Sequence, residues 1–307
     1  METNGQNGHQ NGSLRSRSMN YIMNTKNWRG PLIFIFIISL LGVGMIGFQT
    51  YVDAPPMAGF KDDQGKVLFD YETIVRGQEV FHEKALMEYG SYFGDGAQRG
   101  PDFTAEALNV MAKRMNEFYA AEVKAKTGVE PDEFMQKQLA ERVKKELKQN
   151  TYNKGENLVA LNAAQTYAYQ GVVKYYQDFY IDNNDGKGFP PKNFLTDRNR
   201  VSDLASFFFW GAWVCVVERP GNDFSYTHNW PYDPYAGNTP TSPVILWSVL
   251  GMLAFVLMCG IVLYFIGQYN QLPNKFFKPP KRDLLTVERV ANFKPTPSQK
   301  ASYKLFA

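Results

Sequence analysis

PLIFIFIISLLGVGMIGF, Pro31–Phe48, carries no charge, and PVILWSVLGMLAFVLMCGIVLYFIG, Pro243–Gly267, repeats that character far along the chain. At helical rise the first run covers about 27 Å, close to the ~30 Å hydrocarbon core of a bilayer. The second is longer and can span with tilt. Tyr51 follows the first run, and Trp247 and Tyr269 bracket the second. Amphipathic rings at such positions suit a membrane–water interface. A cleaved signal peptide would have a shorter apolar core and a small-x-small cleavage site. FQTYVDAPP, which follows Gly47, offers a poor one, so the first run is read as an uncleaved anchor.

Working outward from these runs divides the 307 residues into five parts. Residues 1–30 open METNGQNGHQNGS, which lacks apolar periodicity and is expected to be a disordered cytoplasmic tail. Residues 31–50 form the first transmembrane helix, 51–242 an extracytoplasmic domain, 243–267 the second helix, and 268–307 a basic cytoplasmic segment. Charge sets the orientation. The two ends carry +3 and +6 against a whole-chain +3, which leaves −6 for the middle. The positive-inside rule therefore puts both termini in the cytoplasm and the central domain outside. A mean hydropathy of −0.36 excludes a polytopic membrane protein. The basic run KFFKPPKRD, Lys275–Asp283, is expected to attract anionic lipid at about 1 kcal/mol per charge.

The central domain reads as mainly α. In TAEALNVMAKRMNEFYAAEVKAKTG, Thr104 is the expected N-cap, Leu108, Met111, Met115, Phe118 and Tyr119 one buried stripe, and Gly128 the stop. PDEFMQKQLAERVKKELKQN sets Phe134, Leu139, Val143 and Leu147 on a narrower strip. Lys144, Lys145 and Lys148 beside Glu141 and Glu146 read as its solvated face, and no nucleic-acid patch is expected. LNAAQTYAYQGVVKYYQDFY gives a third helix, and GKVLFDYETI a strand or turn. FFFWGAWVCVV, Phe207–Val217, is too short to span and reads as a wholly buried helix, capped by Ser202 or Asp203 and ended by Arg219-Pro220-Gly221.

Motifs for chemistry are absent: no Walker loop, dinucleotide glycine pattern, Gly-x-Ser-x-Gly elbow or His-Glu-x-x-His helix occurs. Cys215 and Cys259 are the only cysteines, and His9, His82 and His228 the only histidines. That excludes a Cys-x-x-Cys-His haem attachment, a zinc knuckle and a disulfide framework. His82 is expected on the polar side of a helix. No residue is assigned to catalysis, cofactor binding or metal binding. The one loop singled out is YTHNWPYDP, Tyr226–Pro234, where Pro231, Pro234 and the later Pro240 restrict the backbone. Arg219, His228, Asn229, Trp230, Tyr232 and Asp233 are its candidates for docking onto a partner.

The blocks DAPPMAGFKDDQGKVLFDYETIVRGQEVF, GSYFGDGAQRGPDFTAEAL and LASFFFWGAWVCVVERPGNDFSYTHNWPYDPYAGNTPTSPVILWSV, with TPSQKASYKLF, resemble the N-terminal third of quinol-dependent nitric oxide reductases. These belong to the haem-copper oxidase superfamily. The resemblance covers about residues 31–307, and it implies that the outer domain is cytochrome c-like but without haem. Gly77-Gln78-Glu79-Val80-Phe81 resembles the opening helix of a cytochrome c, yet HEKALMEYG follows where a haem motif would stand. Where the family usually resembles Gly-His-Gly-Ala-Tyr, this chain has Gly94-Asp95-Gly96-Ala97-Gln98, so a tyrosine contact toward haem and calcium is not carried over.

For the whole enzyme the resemblance implies reduction of NO to N2O with electrons from quinol, on haem b, haem b3 and a non-haem iron, with calcium a further candidate. The family's ligands to those groups lie downstream of the part matched here. The expected partners are the bilayer, here a bacterial cytoplasmic membrane, and a catalytic core. That core lies either in the same polypeptide, making this chain a fragment, or in a separate chain. Ser298–Ala307 reads as the approach to a third span, which favours a fragment. The rival reading is a two-span sensor or assembly protein with an extracytoplasmic ligand or partner domain, against which the last segment shows no sustained heptads.

Overall fold

The computed structural model describes residues 27, 29–97, 99–182, 191, 193–271 and 294. The expected disordered tail, the basic segment with Lys275–Asp283, the approach to a third span and Gln98 lie wholly or largely outside them. Two compact units divide the chain, Met1–Thr241 and Ser242–Ala307.

The second unit is described as one helix, α7, Ser242–Gln271. In the first unit the apolar helix is α1, Arg29–Val52, and none of its side chains is buried. The side chains of α7 are likewise uncovered as far as Tyr264. Twenty-four residues at 1.5 Å each make α1 about 36 Å long. An apolar helix of that length and exposure suits hydrocarbon, so the two helices are candidate membrane spans flanking a mainly helical domain.

The domain follows in the order β1 (Gly59–Lys61), β2 (Val67–Phe69), α2 (Tyr71–Glu83), a 3-10 turn (Leu86–Glu88), β3 (Ser91–Tyr92), β4 (Asp95–Gly96), α3 (Phe103–Thr127), α4 (Glu133–Lys148), β5 (Tyr152–Asn153), β6 (Leu158–Ala160), α5 (Ala163–Gln177), a π turn (Asp178–Asp182) and α6 (Arg198–Val216). The strands form a four-stranded sheet, β2-β1-β6-β5, parallel only between β1 and β6, and a β3-β4 hairpin.

Helix α6 is the centre. Every residue from Leu204 to Val216 is buried, because a helix apolar on all faces has to be surrounded. Helices α2, α3 and α5 surround it. The closest crossing is with α2, where a Cβ on Gly77 would collide with the Asp203 carbonyl and lie 2.7 Å from the Phe207 Cβ. Aromatic rings fill the remaining space: Phe103 stacks on Phe208 at 4.9 Å, Tyr92 on Phe207 at 4.6 Å, and Phe60 meets Trp213 edge-on at 5.6 Å. Such pairs add about 0.5–1.5 kcal/mol each beyond their area. The Trp210 indole donates to the Pro56 carbonyl at 3.0 Å, tying α6 to the segment that leaves α1.

Acidic and amide caps begin the helices. Asp70, Asp102, Asp132 and Asp197 accept from the first-turn N–H groups of α2, α3, α4 and α6, and Asn162 forms a capping box with Gln165 on α5. Each contributes about 1 kcal/mol. The expected caps are corrected accordingly. Thr104 is buried inside α3, its hydroxyl donating to the carboxylate of Asp102, which is the true cap. Ser202 and Asp203 lie within α6: the Ser202 hydroxyl donates to the Arg198 carbonyl at 2.8 Å, and Asp203 pairs with Arg76 at 2.9 Å.

Gly128 does end α3, with φ 74° and its N–H donating to the Lys124 carbonyl. The α3 stripe is buried, with Phe118 partly so. On α4, Leu139, Val143 and Leu147 are buried, but Phe134 is 69% exposed. Five positions before Leu139 is about 140° around the helix, off the strip. Nor is Glu146 solvated: it accepts from Tyr119 Oη at 2.5 Å, Asn162 Nδ2 at 2.9 Å and Arg142 Nε at 2.8 Å.

Between α3 and α5 lies a second acidic group, Glu106, which accepts from Tyr175 Oη at 2.7 Å and Tyr176 Oη at 3.3 Å. Burial raises its pKa, and the two hydroxyl donors offset only part of that rise. The folded state thus holds this proton at a pH where the unfolded chain has released it. The stability it contributes is full below the ordinary carboxylate range and is lost as pH rises through the raised folded value. Glu106→Gln keeps an acceptor for Tyr175 and removes the titration. The expected result is a flatter profile of unfolding temperature against pH above the ordinary carboxylate range, measured by circular dichroism on the detergent-solubilised chain.

Candidate docking loop and membrane-side pocket

Beyond Val216 the chain leaves the buried helix and must satisfy its own backbone. It does so in two tight closures. Glu218 bridges Ser225, and the Arg219 N–H donates to the Phe224 carbonyl at 2.9 Å. Ser225 is buried, and its Oγ accepts the Asn229 N–H at 2.7 Å while its own N–H donates to Asn229 Oδ1 at 3.0 Å. This reciprocal pair holds His228 and Asn229 at φ 54° and 61°. Asn and His are among the few side chains that tolerate the left-handed region.

The His228 ring lies on Phe224, centroids 4.4 Å apart and nearly parallel, with Nδ1 3.4 Å from Thr241 Oγ1. Its backbone carbonyl accepts from the Thr241 N–H. His228 is therefore a packing and tethering residue. The Trp230–Pro231 peptide is cis.

The second closure centres on Asp233, which is buried. Its backbone pairs twice with Asn238, Oδ1 accepts the Ala236 N–H at 2.7 Å, and Oδ2 accepts from Asn109 Nδ2 of α3 at 2.8 Å. Asn238 Nδ2 donates to the Pro231 carbonyl at 2.7 Å. Lys113 of α3 sits 5.0 Å over the Tyr235 ring, and Gly237 lies against the Lys144 side chain.

The six candidate residues thus separate into three groups. His228, Asn229 and Asp233 hold the loop's own chain, the last two of them buried. Trp230 and Tyr232 stay exposed, at 45% and 60%, and Tyr235, absent from the residues singled out by sequence, joins them at 55%. An aromatic every two or three positions between prolines was the available signal. The Trp230 indole also touches the β3-β4 hairpin, since a Cβ on Gly94 would lie 2.7 Å from its Nε1.

Arg219 is elsewhere. Its Nη2 donates to the Asp53 carbonyl at 2.9 Å, Nη1 lies 3.4 Å from the Asp53 carboxylate, and Tyr226 lies beneath the guanidinium. Together with Lys154 and the residues leaving α1 it lines a pocket of about 380 Å³.

Among the described residues, no group of three or more His, Cys, Asp or Glu could hold a metal ion. Cys215 is buried in α6, its thiol pKa pushed well up by burial, and Cys259 lies on α7. His82 is exposed at the end of α2. The space beside α2 is occupied by Phe81, Phe103, Phe207 and Phe208 in mutual contact. These residues do not fit a covalently held haem.

The family model for the NorB cytochrome c-like domain of nitric oxide reductase matches residues 58–232. The chain belongs to this family. A comparison with curated proteins finds no match. The match runs from β1 through the closure at Ser225 and ends within the candidate docking loop. The cytochrome c-like domain therefore includes Trp230 and Tyr232.

Replacing Asp233 by Ala would leave Asn109 Nδ2 and the Ala236 N–H without their acceptor. The expected cost is about 1–3 kcal/mol for the buried groups left unmade. It is read as a lower unfolding temperature, together with faster amide exchange at Ala236.

Proposed function

We propose that this chain is the membrane-anchored, extracytoplasmic portion of a nitric oxide reductase, and that it carries no redox centre of its own. The family match over residues 58–232 carries the reading. The whole enzyme would catalyse 2 NO + 2 e⁻ + 2 H⁺ → N₂O + H₂O, with quinol as the donor and haem b, haem b3 and non-haem iron held by a core outside this sequence, in the same polypeptide or another. Calcium would sit with that core. The membrane is a bacterial cytoplasmic membrane, with both termini inside and the domain outside. The outward placement rests on the −6 of the middle section against the basic ends.

The contribution of this chain is then to anchor and dock. Trp230, Tyr232 and Tyr235 are large, half-apolar side chains on a loop whose backbone is tied by Ser225, Asn229 and Asp233. Large aromatic side chains of this kind dominate interface energetics while ordering at little entropic cost. His228, Asn229 and Asp233 act by fixing the loop on which those rings stand.

Two measurements test this. Purified alone, the chain is expected to give no haem band in a reduced-minus-oxidised spectrum, and a stoichiometric band would overturn the assignment. Co-expressed with a catalytic core, Trp230→Ala is expected to weaken association by about 2 kcal/mol, roughly thirtyfold. Recovery of assembled, haem-loaded enzyme should fall while the isolated domain keeps its unfolding temperature. Equal recovery would mean that the loop is a rigid linker.

A further inference from the structure

We propose that the pocket at the outer end of α1 binds the phosphate of an anionic phospholipid headgroup. Val52 is the last residue of the membrane helix, and Val52 and Asp53 form one wall of the pocket. Its mouth is therefore within a residue or two of the hydrocarbon boundary, at headgroup depth. Tyr51, exposed at the same level, suits that boundary.

The charges in the pocket run against those of the domain around it. Arg219 and Lys154 face it, and Asp53 is the one acidic residue lining it, which leaves a local +1 inside a section whose net is −6. Lys154 is exposed and makes no ion pair among the described residues. Arg219 is held from below by Tyr226. Two of its nitrogens face Asp53, and the third, Nε, is buried without an acceptor. One carboxylate 3.4 Å away thus leaves the guanidinium only partly matched. The amide of Asn222, whose bond to the Pro220 carbonyl is a long 3.4 Å, is a neutral donor beside it. The Val52 and Tyr226 side chains give the walls an apolar part that suits a glycerol and its first methylenes.

Location favours a lipid over a soluble anion. Acyl chains hold lipid phosphate at this depth at high effective concentration, whereas free phosphate has to arrive from dilute solution. The net positive charge favours an anionic over a zwitterionic headgroup, by about 1 kcal/mol for each lysine or arginine near the surface.

The experiment uses the full chain, delipidated in detergent and examined by native mass spectrometry with added phosphatidylglycerol or phosphatidylcholine. The wild type should retain one phosphatidylglycerol in preference to phosphatidylcholine. Lys154→Gln, at an exposed position that leaves the fold intact, should reduce that preference about fivefold. Arg219→Gln should reduce it further. Lys275→Gln with Lys278→Gln, in the basic segment, should leave the retained lipid in place. An unchanged preference in Lys154→Gln, or its loss in the basic-segment variant alone, would overturn the proposal. An equal thermal shift with inorganic phosphate would assign the pocket to a free anion instead.

Discussion

The burial of α6 is the constraint on which the rest of the domain depends. Thirteen consecutive buried residues, Leu204–Val216, leave no face for water, so every neighbouring element has to present an apolar surface to it. Helix α2 can lie close enough only because Gly77 has no Cβ to meet the Asp203 backbone. Phe60 of β1 reaches Trp213, and Trp210 fixes Pro56, so the same helix sets the position of the small sheet and of the chain emerging from α1. The centre is filled by aromatic rings in direct contact, Phe103 on Phe208 and Tyr92 on Phe207. Dense aromatic contact of this kind is costly to disturb by even small changes of volume.

Much of this was legible in the sequence because it rests on period and composition. The uncharged runs of α1 and α7, the stripe Leu108–Met111–Met115–Tyr119, the stop at Gly128 and the wholly buried character of Phe207–Val217 are read from side-chain type alone. The helix starts were less legible. Asp102 and Thr104 both have cap chemistry, and only the backbone geometry decides that the carboxylate accepts the Ala105 N–H while the hydroxyl turns inward to it. Glu146 resembled one more charge on a lysine-rich face, and its contacts with Tyr119 and Asn162 come from elements 27 and 16 residues away. Long-range satisfaction of this sort leaves no local pattern.

At the loop Tyr226–Pro234 the composition did not separate the roles of the individual side chains. Polar side chains in a loop read as available for a partner, yet a loop with few regular hydrogen bonds has to satisfy its backbone with its own side chains. Ser225, Asn229 and Asp233 do that, and the large side chains left exposed, Trp230 and Tyr232, are aromatic. Arg219 was grouped with the loop by proximity in sequence. The turn closed between Glu218 and Ser225 instead directs it to Asp53, at the end of the membrane helix. Residues a few positions apart thus serve different surfaces.

The turn of the β3-β4 hairpin and the exposed Trp230 are physically linked. Phe93 and Gly94 both have positive φ, the backbone of a two-residue turn between β3 and β4. Such turns fit the right-handed twist of paired strands and favour glycine. At Gly94 the missing Cβ is also the space beside the Trp230 indole. Any side chain there meets both a strained backbone and the ring. The indole is then held on one side by the hairpin and exposed on the other, a fixed aromatic surface rather than a mobile one. Ordering a partner against a fixed ring costs less entropy than capturing a free one. The β3-β4 hairpin thus fixes the position of the Trp230 ring, on which the proposed docking rests.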